Sequence, residues 1–343
     1  MNDTTIAIDI AKSSFHAVSE KNNKIGTNRA FNRQQLKTWL AKQSKSRVVI
    51  EACGSAHYWA RYAQSLGHTA QLISPKSVIP FRQGHKTDKN DALAIATASK
   101  QATTKSVGIK TVEQQALQSI SRVRQHLCDN QTAVSNMLRG LLCEFGITIN
   151  KGSKAFRATI PDILEDGENG LPDILRAVIA DMYVAYLEGE AHLAKVSKKL
   201  ERLINQQAQC KKLMQLEGIG PVNALEVYLT LGDKGESFAN GREASACIGL
   251  TPKQYSTGGQ VTLGGIGKKQ GKKRMRANLI QGALAVVQVL DRRQAKNEKE
   301  RWLKSLIALK GKRRAAVALA NKTIRTAWAM LSKGNEYQLP EAV

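Results

Sequence analysis

The sequence predicts an α/β domain at the N-terminus followed by a mainly α-helical remainder. Three observations carry this. Short β-branched apolar runs alternate with helical segments in the early part of the chain, apolar residues recur at helical spacing through most of the rest, and a Gly-, Pro- and acid-rich break divides two long helical stretches.

TIAIDIA and SFHAVSE read as two strands turned by Lys12 and Ser13, with a third expected over Gly26–Phe31. Asn32 is placed to cap a helix over Arg33–Gln43, since its side-chain oxygen can accept from an unpaired first-turn N–H. Arg47–Glu51 reads as a strand, Ala56–Leu66 as a helix and Thr69–Ser74 as a strand; the segment holding Pro75 and Pro80 reads as a loop. A helix over Lys89–Lys100 follows, with Asp88 expected at its N-cap. Three strands, a helix, then alternating strands and helices is the order of an RNase H-like (RuvC-like) mixed sheet.

From Thr111 to Phe145 the apolar residues Leu117, Ile120, Leu127, Val134, Leu138 and Leu141 share one helix face. A break over Asn150–Pro172 precedes a second long helix, Asp173–Lys212. Two long amphipathic helices predict an antiparallel coiled-coil hairpin. LMQLEGIGPVNALEVYLTLG then reads as helix, glycine turn, helix, a helix–hairpin–helix-like element in which Gly218 and Gly220 let backbone amides approach a phosphate. Further helices are expected over Arg242–Ile248, Met275–Leu290 and Arg314–Ser332. The expected division is 1–105 for the α/β domain, 106–212 for the coiled-coil region, 213–335 for a mainly helical C-terminal domain and 336–343 for a tail.

Lys and Arg number 52 against 28 Asp and Glu, a formal charge of +24, which favours a polyanionic partner. Lys253, Lys268, Lys269, Lys272, Lys273, Arg274 and Arg276 concentrate that charge near the C-terminal turn-rich stretch and are candidate nucleic-acid contacts. No run reaches the roughly 18 apolar residues of a membrane span, and MNDTTIAIDI has neither signal-peptide nor transit-peptide character, so a cytoplasmic protein is expected. The five cysteines are scattered without a C-x-x-C pair, which predicts buried reduced thiols rather than zinc or disulfides.

Against this basic background four acids stand out. Asp9 lies inside one apolar strand, Glu51 ends another, and Asp88 and Asp91 sit one helical turn apart. A carboxylate in such a setting is costly unless a cation neutralises it. Mg²⁺, with Mn²⁺ as an alternative, takes oxygen ligands and keeps open positions for phosphate, and paired ions can stabilise both oxygens of an in-line phosphoryl transfer. Ser256, in YSTGG, is a second candidate; from spacing alone a plain turn serine is the simpler reading.

AIDIAK, VVIEACGS and KTDKNDA, followed in order by GIGPVNA, GLTPKQYSTGG and LGGIGKKQGKKRMR, resemble the insertion-sequence transposases with an N-terminal DEDD, RuvC-like domain. These are relatives of the Piv DNA invertases and act as bridge-RNA-guided recombinases. The resemblance spans nearly the whole chain. It implies that Asp9, Glu51, Asp88 and Asp91 are the four Mg²⁺-binding DEDD positions and that Ser256 is the nucleophilic serine of a C-terminal transposase domain, with Thr257 where many relatives carry serine or glycine. It also implies a phosphoserine–DNA intermediate, donor and target duplex DNA, a structured noncoding guide RNA, and a dimer or tetramer with composite sites in a bacterial cytoplasm, nucleoid-associated when on DNA. A Holliday-junction endonuclease using water, and a non-catalytic nucleic-acid-binding protein, are the alternatives that the residues leave open.

Overall fold

A computed structural model describes residues 4–85, 87–267 and 271–338; Lys268 and Lys269 therefore lie outside the described residues. The N-terminal part is a six-stranded mixed sheet and the remainder is mainly helical, as the sequence predicts. In chain order the sheet comprises β1 (Thr4–Ile10), β2 (Ser14–Lys21), β3 (Lys24–Asn32), β4 (Arg47–Glu51), β5 (Thr69–Ile73) and β6 (Ser106–Val107), arranged β3-β2-β1-β4-β5-β6. β1, β2 and β3 form an antiparallel meander, β4 and β5 run parallel to β1, and β6 closes the edge antiparallel to β5. Asn22 and Asn23, with φ of 49° and 60°, make the tight turn joining β2 to β3.

Helices α1 (Arg33–Ala41), α2 (Ala56–Ser65), α3 (Pro75–Val78) and α4 (Asp88–Ser99) are interleaved with these strands. Asn32 and Gln35 form a full capping box at the start of α1. The period-2 alternation of the strands splits the core in two. Ile6, Ile8, Val48, Ile50 and Leu72 pack with α1 and α2 on one face, whereas Ala7, Val49 and Ile73 pack with Ala94, Ile95 and Ala98 of α4 on the other. Trp59 and Phe15 meet edge-on at 4.9 Å in the first layer. The Pro75–Pro80 segment is not a loop: Pro75 starts α3 and a short 3-10 turn, Ile79–Phe81, follows.

Two compact units result. The first comprises Met1–Glu113, Leu229–Gly271 and Ile324–Asn335; the second comprises Gln114–Tyr228, Lys272–Thr323 and Glu336–Val343. Besides the sheet, the first unit contains α10 (Gly241–Ile248) and a hairpin of β7 (Pro252–Thr257) and β8 (Gln260–Ile266). Trp328 donates its indole N–H to the carbonyls of Gly235 and Phe238 at 3.1 and 3.0 Å, tying chain-distant segments into this unit.

The second unit is helical: α5 (Val112–Cys143), α6 (Ser153–Glu165), α7 (Asp173–Ile204), α8 (Ala208–Leu213), α9 (Pro221–Leu231), α11 (Lys273–Asp291), α12 (Glu298–Lys310) and α13 (Lys312–Lys333), some of which run on into the first. α5 and α7 lie antiparallel, with Arg124 donating to Ser197 Oγ at 3.0 Å and Gln131 to the Tyr186 carbonyl at 3.2 Å. The expected break after α5 holds helix α6 instead, whose Phe156, Ile160 and Ile163 build a core with Leu138, Leu142 and Tyr186. The second long helix ends at Ile204, not at Lys212. All five cysteines are free, but only Cys210 is buried; Cys53, Cys143 and Cys247 are exposed, which corrects the expectation of buried thiols. No described helix is long and apolar enough to cross a membrane.

Candidate active site

Register places the first two acids. β1 and β4 are parallel neighbours whose last registered pair is Ile8↔Ile50, so Asp9 and Glu51 are the next residues along adjacent strands. Because side chains alternate, Asp9 follows Ala7 and Glu51 follows Val49 onto the face covered by α4. They stand at the carboxyl ends of parallel strands, where α/β sheets commonly build their sites.

α4 supplies the other two. Its cap is Thr87, whose Oγ1 accepts from the Asn90 N–H at 3.3 Å, so the expected N-cap role of Asp88 is corrected: Asp88 is the first helical residue. The side chain of threonine reaches the N3 amide from the extended backbone of the cap position, which Asp88, already inside the helix, cannot. Asp88 is exposed, whereas Asp91 is only 9% exposed. The small residues Ala92, Ala94, Ala96 and Ala98 are buried along the helix and let it lie close on the sheet. Asp88 and Asp91 both favour the positive helix N-terminus, which is one reason for acids in this turn.

Electrostatics shows that these carboxylates sense one another. Burial, then the charges of Asp91 and Asp88, hold the Asp9 carboxyl above its ordinary range. Burial, then Glu51 and Asp9, raise the Cys53 thiol. Mutual repulsion of this kind is what a bound cation relieves, and an all-carboxylate donor set suits a hard divalent ion. The geometry is nevertheless open: among the described residues no group of three or more His, Cys, Asp or Glu is gathered closely enough to hold a metal ion. One cation is already supplied by the chain, since Arg82 Nε forms an ion pair with Asp91 Oδ1. Arg82 and Cys53 are the neighbours that sequence reasoning missed. The only signal was a lone arginine in FRQGHKTD ahead of the acidic pair, and a cysteine directly after the strand-ending glutamate.

Ser256 lies on β7, opposite Val261 of β8 and next to the Gly258–Gly259 turn, where both glycines have positive φ (57° and 82°). The serine is exposed in the hairpin, past a register shift between Pro252 and Gln254, and its Oγ accepts from Gln254 Nε2 at 3.2 Å. The structure thus brings Asp9, Asp88 and Asp91 into one electrostatic neighbourhood and leaves Ser256 in hydrogen-bond contact with Gln254.

Comparison with known proteins decides the family. Residues 6–147 match the IS110-type DEDD domain model described as Transposase, and residues 210–299 match the model described as Transposase IS116/IS110/IS902 family. A Pseudomonas aeruginosa chain named "Probable family 20 transposase" is 37% identical over 341 residues, covering 98% of this chain and 99% of its own length. The transposase for insertion sequence element IS1111A of Coxiella burnetii is 36% identical over 338 residues, covering 97% and 91%. The transposase for insertion sequence element IS1328 of Yersinia enterocolitica is 32% identical over 339 residues, covering 98% and 99%. The chain belongs to the IS110-family transposases.

The remaining candidates of this transposase fall in different settings. Gly218 has φ of 78°, and a Cβ there would meet the Gly282 carbonyl carbon and oxygen at 2.8 Å, so it is a point of close backbone approach to α11. Gly220 is exposed with open space around it, just ahead of Pro221 at the start of α9. Lys253 is exposed on β7, and Lys272 and Lys273 are exposed at the start of α11. Arg274 grips Asp129 with bonds of 2.8 and 2.7 Å, and Arg276 is buried at 7% exposure.

Proposed function

We propose that this insertion-sequence transposase cleaves and rejoins DNA through Ser256 and a divalent-metal site built from Asp9, Glu51, Asp88 and Asp91. The observation that carries the reading is the convergence on one face of the sheet: Asp9 and Glu51 end neighbouring parallel strands, and the Asp9 carboxyl is raised by the charges of Asp91 and Asp88. The order of the strands supports a RuvC-like reading of the domain expected over residues 1–105. Mg²⁺ or Mn²⁺ held by these carboxylates would supply Lewis-acid stabilisation of the phosphate under attack.

The chain's own chemistry is an exchange of esters. The Ser256 oxygen bonds to phosphorus, the bond from phosphorus to the 3′ oxygen breaks, and the serine proton ends on the released 3′-hydroxyl. A 3′-hydroxyl of a second duplex then attacks the phosphoserine, restoring the serine and joining the strands. No external energy source is required because each step replaces one phosphodiester with another.

A partner subunit and a guide RNA complete the proposal. Every residue of β7 is exposed, as are Tyr255, Val261 and Leu263, and a lone two-stranded hairpin is marginal in water, which supports its docking onto another surface in the working assembly. Exposed Val123, Met137, Val178, Val184 and Leu187 along α5 and α7 support self-association through the proposed coiled-coil region. Delegating base readout to RNA agrees with a chain rich in Lys and Arg and only 5% aromatic.

The test is a denaturing gel of purified transposase, its flanking RNA and end-labelled DNA with Mg²⁺. A DNA-linked protein band should form with the natural chain and vanish with Ser256→Ala. Cleavage that survives in Ser256→Ala without any adduct would replace this reading with a water-using nuclease.

A further inference from the structure

A strongly basic stretch lies on the outer edge of the sheet, two strands away from β1. Between Glu20 and Glu51 the sequence carries eight Lys or Arg (21, 24, 29, 33, 37, 42, 45, 47) and no acid. Its middle folds as the edge strand β3 and helix α1, with Lys21 at the end of β2 and Arg47 at the start of β4. Leu36 and Leu40 turn into the core, which leaves the opposite face of α1 to solvent. β3 and α1 enclose an open cavity of about 410 Å³ lined by Arg29, Phe31, Gln34, Thr38, Trp39 and Lys42, together with Ala30 and Gln35.

The lining is specialised. Phe31 and Trp39 form an aromatic floor, their ring centroids 5.0 Å apart and tilted by 37°. The Arg29 guanidinium stands 4.7 Å from the Phe31 centroid, and Lys42 lies on the rim. Gln35 is used internally, accepting from the Asn32 N–H to close the capping box. The Gln34 amide and Thr38 hydroxyl, one turn apart on α1, have no protein partner among the described residues. No acidic side chain lines the cavity.

The partly exposed Trp39 ring backed by Phe31, a free amide and hydroxyl, and the two cations Arg29 and Lys42 match one chemical class. We infer that the β3–α1 cavity receives an unpaired nucleotide of a nucleic-acid strand, its base on Trp39 and beside Gln34 and Thr38, its flanking phosphates on Arg29 and Lys42. Base–aromatic stacking is tolerant of sequence and needs an unstacked base, so a nucleotide inside an intact duplex cannot enter. A small carboxylate would use the cations and leave the floor empty; an apolar peptide would bury the two cations unpaired. The chemistry of base plus phosphate is common to DNA and RNA, and the experiment separates them. This inference does not rest on the metal site or on Ser256.

The test uses the full-length transposase with single-stranded DNA and RNA oligonucleotides carrying 5-bromouracil. Irradiation followed by trypsin and mass spectrometry should give an adduct on Trp39, in the peptide Thr38–Lys42; whichever arm gives it names the strand. In parallel, the double variant Arg29→Ala/Lys42→Ala should weaken single-strand binding about tenfold and change duplex binding by less than about twofold at the same salt. Thermal melting of the variant checks that it is folded, and both residues lie on the surface of the cavity. Adducts mapping elsewhere in both arms, or equal loss of single-strand and duplex affinity, would overturn the inference.

Discussion

Arg82 pairs with Asp91, so a side chain of the protein occupies one of the four carboxylates proposed to hold metal. Both side chains are largely shielded, at 27% and 13% exposure, which makes the pair stronger than an exposed one. A guanidinium paired with Asp91 competes with an incoming cation for that carboxylate. Arg82→Gln is therefore expected to bind Mn²⁺ about tenfold more tightly, equivalent to ~1.4 kcal/mol, by isothermal titration calorimetry. Weaker binding in the variant would mean that Arg82 organises the carboxylates instead of competing for them. Absence of binding in the natural chain would instead remove the metal reading itself.

Asp9→Asn separates stability from chemistry. The carboxyl is half-buried among like charges, so its ionised form opposes folding in the metal-free protein. An isosteric amide removes that charge. The variant should melt higher than the natural chain in the absence of divalent metal, while DNA cleavage is lost. A lower melting point would show that the carboxylate is structural.

The contrast between local and long-range information explains how much of this was legible in the sequence. β1 and β4 could be read because each is a short β-branched apolar run, the mark of a strand buried on both faces; that Asp9 and Glu51 fall on the same side follows from the register of the two strands. Asn32 could be read as a cap because it stands directly before its helix; its return partner Gln35 came from the structure. Pro161 and the flanking Gly152 and Gly167 disguise α6, although Phe156, Ile160 and Ile163 hold its helical spacing. Arg82 reaches Asp91 from the end of the 3-10 turn Ile79–Phe81, and the Gly218–Gly282 approach joins residues far apart in the chain. No periodicity encodes such pairs, and they are the parts that needed a structure.

Gly218 and Gly220 lie two residues apart, yet their substitutions should act differently. Alanine at 218 would need positive φ and would press its Cβ to 2.8 Å from the Gly282 carbonyl group, so Gly218→Ala should cost about 2 kcal/mol or more. Gly282→Ala would press against the Gly218 carbonyl oxygen and should be similarly costly. Alanine at 220 meets nothing within 4 Å and should leave the melting temperature nearly unchanged. If the turn before α9 holds a DNA phosphate, as its sequence suggests, Gly220→Ala alone should weaken duplex binding severalfold in a fluorescence-anisotropy titration. Unchanged affinity would assign the turn a purely structural role.

Glu300 gives the pH dependence a sign that can be measured. Arg293 holds it with two bonds, 2.8 and 2.5 Å, the Lys296 N–H adds a third at 2.7 Å, and Asn297 caps the helix by accepting from the Glu300 N–H at 2.9 Å. The Arg293 bonds foremost, joined by the Lys296 amide, pull the Glu300 carboxyl from its ordinary 4.5 to about 2. A depressed carboxylate stabilises the folded state above its unfolded pKa, and that contribution fades as pH falls from about 4.5 through about 2. Since the Arg293 side chain is 37% exposed, solvent screening reduces the effect to about 1 kcal/mol at neutral pH. Urea denaturation should therefore find Glu300→Gln less stable than the natural chain by that amount at pH 7, with the difference shrinking below pH 4.5 and closing as pH falls through about 2. A difference that persists undiminished in acid would locate the loss in packing around α12 rather than in the charge.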